Sequence, residues 1–288
     1  LLIPYVSGFV TKTHDSTGSS NIQSLNNAVQ RYAVEHYDNF PDKLDSLVDG
    51  TGIYSKMMSS TMGTQYLKVL ALDANQAKSF TDVGINTLKQ MDANTGNATF
   101  ANVDVTDFSV ANLTNVLEID TTVITDLAGV MGKPVDTVHN HYVVFGLGDD
   151  STIAGSTVSD VPVHFAQNAD MGADKAYNHF TLVFEVPQGS YCTTNMYMAG
   201  ATPLTATAAA AEAALFAVGF GTTQAACDTA AAAYITSVAG TTATLSATFI
   251  DPTKTKAKFI GSAMAMGMGN FEGLGGALNR YYENTATN

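Results

Sequence analysis

The 288-residue chain has no tryptophan, two arginines (Arg31 and Arg280), two cysteines and only 14% charged residues. Each shortage excludes something. Lysine and arginine together number 13 against 26 acids, for a formal net charge of −13. That leaves no basic surface for the phosphates of a nucleic acid and no polybasic patch for an anionic membrane. Cys192 and Cys227, with no C-x-x-C, exclude a structural zinc framework. In an oxidising compartment the pair would form one disulfide closing an Ala-rich loop; in a reducing one they would be two small buried side chains. Gly-x-Ser-x-Gly, P-loop and Gly-x-Gly-x-x-Gly motifs are also missing. Gly146-Leu-Gly148 follows a strand-like run, but Asp149-Asp150 comes next and would repel a phosphate. Apolar runs are short. Leu1 to Val10 is about half of the roughly 20 residues a span requires, and it lacks the basic start and cleavage site of a secretory signal. It reads as the tail of a longer apolar helix whose beginning is missing, or as an ordinary buried N-terminal segment.

What is present is a chain 45% hydrophobic, long enough for a sizeable core. Its acids concentrate centrally: residues 101–200 hold twelve acids and two bases. An acidic, charge-poor surface rich in small residues suits an extracellular setting or one rich in divalent cations. Ile22, Leu25, Val29, Tyr32, Ala33, His36, Tyr37 and Phe40 recur at steps of three and four, the stripe of one helix face. Ser19, Ser20 and Asn21 offer N-cap oxygens, and Phe40-Pro41 is expected to stop the helix. Asp42 to Val48 reads as a short second helix closed by Asp49-Gly50. Residues 62–92 mix helical signals (Tyr66, Leu67, Val69, Leu70) with a strand near Gly84–Leu88. Strands are expected at 141–145, 161–165, 179–186 and 258–264. Residues 206–233 are half alanine and divide at Gly219-Phe-Gly221, the mark of two helices in a hairpin. The hairpin either packs on the sheet or forms a subunit contact. The expected fold is therefore α+β: an N-terminal amphipathic helix on an antiparallel sheet, with an inserted Ala-rich helical hairpin. The division runs 1–50 for the N-terminal helices and 51–288 for the globular part, the insertion spanning 204–240.

Chemistry is sparse. His139-Asn-His141 enters a strand, where alternate residues face the same way, so both imidazoles could reach one metal, with His164 or His179 as a third ligand. No carboxylate follows at a familiar spacing, and core or surface histidines are the plainer reading. Asp92-x-Asn94-x-Gly96 has the look of a calcium loop but fails the EF-hand pattern, its glycine one place early and no bidentate glutamate behind it. Asp104, Asp107, Asp149, Asp150, Asp160, Asp170 and Asp174 add oxygens to the middle of the chain. Calcium, with Asp92, Asn94, Asp149 and Asp150 as candidates, stands against a solvated acidic face; no other cofactor is expected. Met264, Met266 and Met268 alternate with small residues and read as core.

The stripe Leu25, Ala28, Val29, Tyr32, the turn Phe40-Pro41 and the pair Leu44 and Leu47 together resemble the N-terminal part of type IV pilin-like proteins, above all the pseudopilins of type II secretion. Pro4 matches the proline within many pilin N-terminal helices. Tyr142–Gly148, Val161–Phe165 and Lys258–Met264 more loosely resemble large pilin-like proteins of the planctomycete group. The apolar first half of the pilin helix and its methylation motif are missing, and the Ala-rich hairpin is not a general pilin feature. The resemblance implies a non-catalytic, exported subunit of an extracellular filament or other surface polymer. It would pair with copies of itself, and meet a membrane only through the missing upstream helix. Assembly would use the apolar start (Leu1, Leu2, Ile3, Tyr5) and the hairpin (Ala209, Ala213, Phe216). Two other functions stay open: an envelope-associated binding module or tip adhesin with exposed Tyr191, Tyr197 or Tyr281, and a histidine–metal enzyme using His139 and His141.

Overall fold

The run Phe180-Thr-Leu-Val-Phe-Glu-Val-Pro187 is apolar at every even position and again at Val183, so as a strand it needs cover on both faces. A computed structural model of the chain describes residues 21–49, 52–53, 67–91, 100–103, 115–121, 123–125, 134–162, 179–199, 205–238 and 242–264. It is mixed α and β, mostly antiparallel, and divides into two units. The first comprises Leu1–Val135, Tyr142–Glu185 and Lys256–Asn288; the second comprises Asp136–His141 and Val186–Thr255.

The first unit is built on a sheet whose strands lie in the order β12 (Lys258–Met264), β9 (Phe180–Pro187), β8 (Asn140–Gly146), β1 (Leu44–Asp45), β5 (Leu88–Met91) and β6 (Phe100–Val103). Strand β7 (Val116–Ile119) pairs with β8 and with β4 (Leu67–Leu70). The β1–β5 ladder is parallel, whereas β12–β9, β5–β6, β4–β7, β7–β8 and β1–β8 are antiparallel. The two-residue alternation of β9 builds two cores. On one face the Phe184 ring meets Phe40, Phe80, Phe145 and Phe259 at centroid separations of 5.4–6.1 Å. On the other, Val183 joins Leu67, Leu117, Ile119, Tyr142, Val144 and Ile260.

Helix α1 (residues 21–35) turns Leu25, Val29, Tyr32 and Ala33 inward. The Asn26 side chain accepts hydrogen bonds from the Ser262 N–H and hydroxyl, each at 2.7 Å. The expected stop at Phe40-Pro41 is corrected. The helix ends earlier, where Tyr37 and Asp38 adopt left-handed φ of 56° and 66° and the Asp38 N–H bonds back to the Ala33 carbonyl. Tyr37 is consequently 94% exposed rather than part of the buried stripe.

The second helix expected over 42–48 is also absent. Lys43 and Leu47 have φ of 58° and 60°, which no right-handed helix allows, and Leu44–Asp45 and Val48–Asp49 (β2) are strands. Strand β2 pairs with β3 (Gly52–Ile53). Tertiary bonds hold this geometry: Asp42 Oδ1 accepts from the Asn86 and Thr87 N–H groups, and the Asp42 N–H donates to Thr152 Oγ1. Residues 67–70 form a strand rather than the expected helix. The helix here is α2 (Ala74–Thr81), opened by a capping box in which Asp73 accepts from the Asn75 and Gln76 N–H groups and Gln76 reaches back to the Asp73 N–H. The strand placed near 84–88 begins only at Leu88. Val161 and Pro162 are not in a strand, and residues 163–165 lie outside the described residues, as do Met266 and Met268.

In the second unit a long ribbon pairs β10 (Tyr191–Ala199) with β11 (Thr242–Ile250) in unbroken antiparallel register from Tyr191↔Ile250 to Ala199↔Thr242. The helices α3 (Ala206–Phe216) and α4 (Gln224–Ser237) stand between these strands in sequence. The Gln224 side chain ties α4 to the ribbon, donating to the Ala247 carbonyl and accepting from the Phe249 N–H.

Candidate functional site

The hairpin is helical by intrinsic propensity, since alanine is the best helix former. Thr205 and Thr223 cap the two helices, their hydroxyls accepting from the N–H groups of Ala208 and Ala226. A core is made from very few side chains. Leu215, Cys227 and Ala231 pack with Cys192 and Ala247, and Ala208 packs with Tyr234 and Val238. Cys192 and Cys227 form a disulfide, Cα–Cα 5.7 Å, stapling β10 to α4. Gly221 makes room for it: at φ +72°, an added Cβ would fall 2.8 Å from the Cys192 sulfur and 3.1 Å from that of Cys227.

Of the residues singled out for assembly, Ala209 and Ala213 are exposed on α3. Phe216 is instead half-buried against the disulfide cluster. Leu1, Leu2, Ile3 and Tyr5 lie outside the described residues.

Among the described residues the histidines belong to no group that could hold a metal. His139 sits in the turn before β8 with both ring nitrogens engaged: Nδ1 with Asp136 Oδ2 at 2.6 Å, and Nε2 with the Phe216 carbonyl. Its ring stacks on Tyr191 at 4.1 Å. This explains why Tyr191, an expected adhesin contact, is half-buried instead of displayed. His139 therefore joins the turn to the end of α3, and coordination by it would break two bonds. His164 lies outside the described residues, as do Tyr281 and the side chain of Tyr197.

Of the calcium candidates, Asp92 and Asn94 fall outside the described residues, as do Asp104, Asp107, Asp170 and Asp174. Asp149 and Asp150 form the turn after β8. Asp150 is paired with Lys89, and Asp149 lies 4.0 Å from His179 Nδ1. Asp160 accepts from the Val161 N–H. Among the described residues no group of three or more His, Cys, Asp or Glu is placed to hold a metal ion.

Sequence reading missed a buried polar knot at this turn. Asp45 and Lys89, on the paired strands β1 and β5, are both buried, and Lys89 reaches Asp150. The only signal is an aspartate among the apolar residues of Leu44–Val48, a run whose spacing suits a short helix.

Burial holds the His179 pKa below the ordinary histidine value, with Asp149 and Asp160 pulling it back up. The unfolded chain therefore takes up a proton near pH 6.5 more readily than the folded one. Stability is expected to fall as pH drops through and below about 6.5, and His179→Gln should flatten that slope. Thermal denaturation at pH 7.5 and 5.5 measures both.

A shallow groove of about 490 Å³ runs beside α1, lined by Gln30, Val34, Asp38, Phe40, Lys256 and Phe259 among others. No helix among the described residues is long and apolar enough to cross a membrane. No protein-family model, curated protein or solved structure matches the chain.

Proposed function

We propose that the chain is a non-catalytic structural subunit of the pilin or pseudopilin kind, which assembles with copies of itself into an extracellular filament or other surface polymer. The observation that carries this reading is the amphipathic helix α1, with Leu25, Val29 and Tyr32 buried and Asn26 bonded to Ser262 of β12. A helix laid on an antiparallel sheet is what the N-terminal pilin-like motif calls for. Two further features favour it. The exposed Ala209 and Ala213 allow another surface to approach the α3 backbone closely. The Cys192–Cys227 disulfide suits an oxidising, exported setting. The adhesin and metal-enzyme alternatives are weakened where Tyr191 and His139 are used up in each other's packing.

Sedimentation velocity and negative-stain electron microscopy of the purified chain test the proposal. Polymers are expected, and Ala213→Arg should reduce them without changing the circular dichroism spectrum. A clean monomer at high concentration, with and without calcium, overturns it.

A further inference from the structure

The buried knot around Lys89 carries an inference independent of the assembly reading. We propose that Lys89 and Asp150 are joined by an intramolecular isopeptide bond, with the Asp45 carboxyl group handling the proton that its formation releases.

Three placements converge. The Lys89 side chain is 7% exposed and its Nζ is in direct contact with Asp150 Oδ2. Asp45 is the Cα partner of Lys89 in the parallel β1–β5 ladder, so both side chains rise on the same face. The Asp45 carboxylate in turn lies against Gly148, two residues before Asp150: a Cβ on Gly148 would fall 2.6 Å from Asp45 Oδ2 and 2.7 Å from Oδ1. Only glycine leaves that space, and the approach brings the buried acid up to the turn that presents Asp150.

The physical case for an amide is desolvation. An ammonium group withdrawn from water is costly, and a partner that stays 64% exposed returns only part of that cost. A neutral amide removes the charge altogether. Well-oriented intramolecular groups reach effective molarities of roughly 10⁵–10⁸ M, which favours a condensation that free amines and carboxylates do not undergo in water.

The step balances without a co-reactant. The ion pair first collapses by one proton transfer, from the Lys89 ammonium to the Asp150 carboxylate, which leaves a neutral amine beside a carboxylic acid. Nζ then attacks Asp150 Cγ, forming a C–N bond, and the Asp45 carboxylate takes the second proton from nitrogen and delivers it to the Asp150 hydroxyl. One C–O bond breaks, and one water leaves. Nothing is oxidised or reduced. The bond would clamp β5 to the turn after β8, across the two-residue strand β1 that lies between them.

Intact-mass spectrometry of the reduced, denatured full-length chain decides the matter. The expected mass is one water below the sequence value. Trypsin should fail to cut after Lys89, and further digestion should release a branched peptide carrying Lys89 and Asp150. Lys89→Arg keeps the positive charge and the ion pair but cannot form this bond, so it should run at full sequence mass. Asp45→Asn keeps the shape and should leave most of the chain uncondensed. A wild-type chain at full sequence mass overturns the bond. So does the same loss of water from Lys89→Arg, which would place the dehydration elsewhere. Complete condensation in Asp45→Asn overturns the part given to Asp45.

Discussion

Replacing Cys192 and Cys227 together with serine is expected to lower the stability of the unit that carries the hairpin by about 3–4 kcal/mol. The estimate follows from freeing the 35-residue loop that the disulfide closes. The loss matters more here than in most domains, because there is little else to lose. The two helices bury only Ala208, Leu215, Cys227, Ala231 and Tyr234 fully. Alanine contributes a single methyl group where leucine would contribute a whole side chain, so the apolar area removed from water per turn is small. Without the staple, α4 would be held to the ribbon mainly by the bonds of Gln224 to β11 and a thin layer of methyl groups. Far-UV circular dichroism during heating, with and without reductant, should show a low-temperature loss of helix in the reduced wild type and in the double serine variant. Unchanged melting in both would mean that the packing suffices alone.

Phe184→Ala should destabilise the first unit by about 3–5 kcal/mol. Phe184 is fully buried, and its ring is shared by four others, so truncation opens a cavity bordered by Phe40, Phe80, Phe145 and Phe259. Those rings come from the α1 connection, α2, β8 and β12, which cannot all move inward together. The edge-to-face contacts with Phe40 and Phe80 are lost in addition to the buried area. Phe184→Leu retains most of the volume and should lose less than half as much. Urea denaturation followed by tyrosine fluorescence measures the difference, and equal losses from both substitutions would show that the cavity is not the cause.

The contrast between these two centres explains what the sequence made legible. The aromatic and β-branched runs that became β8, β9 and β12 read as strands because their burial is dictated locally, residue by residue. The alanine hairpin read as helices for a similar reason, with Gly219 and Gly221 marking the break. The Leu44–Val48 run misled because its spacing of apolar residues suits a helix, whereas its conformation is imposed from outside. Asp42 reaches residues 86 and 87, and Asp45 faces Lys89, contacts more than forty positions away. The β10–β11 ribbon was invisible for a different reason: Thr193, Thr194, Thr244 and Ala247 carry too little alternating hydrophobicity to announce a strand. His139 was singled out as a ligand because a strand pattern shows which residues share a face, but not that a ring nitrogen will meet the carbonyl at the end of a helix 77 positions on.

Glu185 and Lys258 stand opposite one another as the first rung of the β9–β12 ladder, and nearly all of the second unit is strung between them. An excursion whose two ends are ladder partners can change in length without shifting the register of the rungs that follow, from Phe184↔Phe259 to Phe180↔Met264.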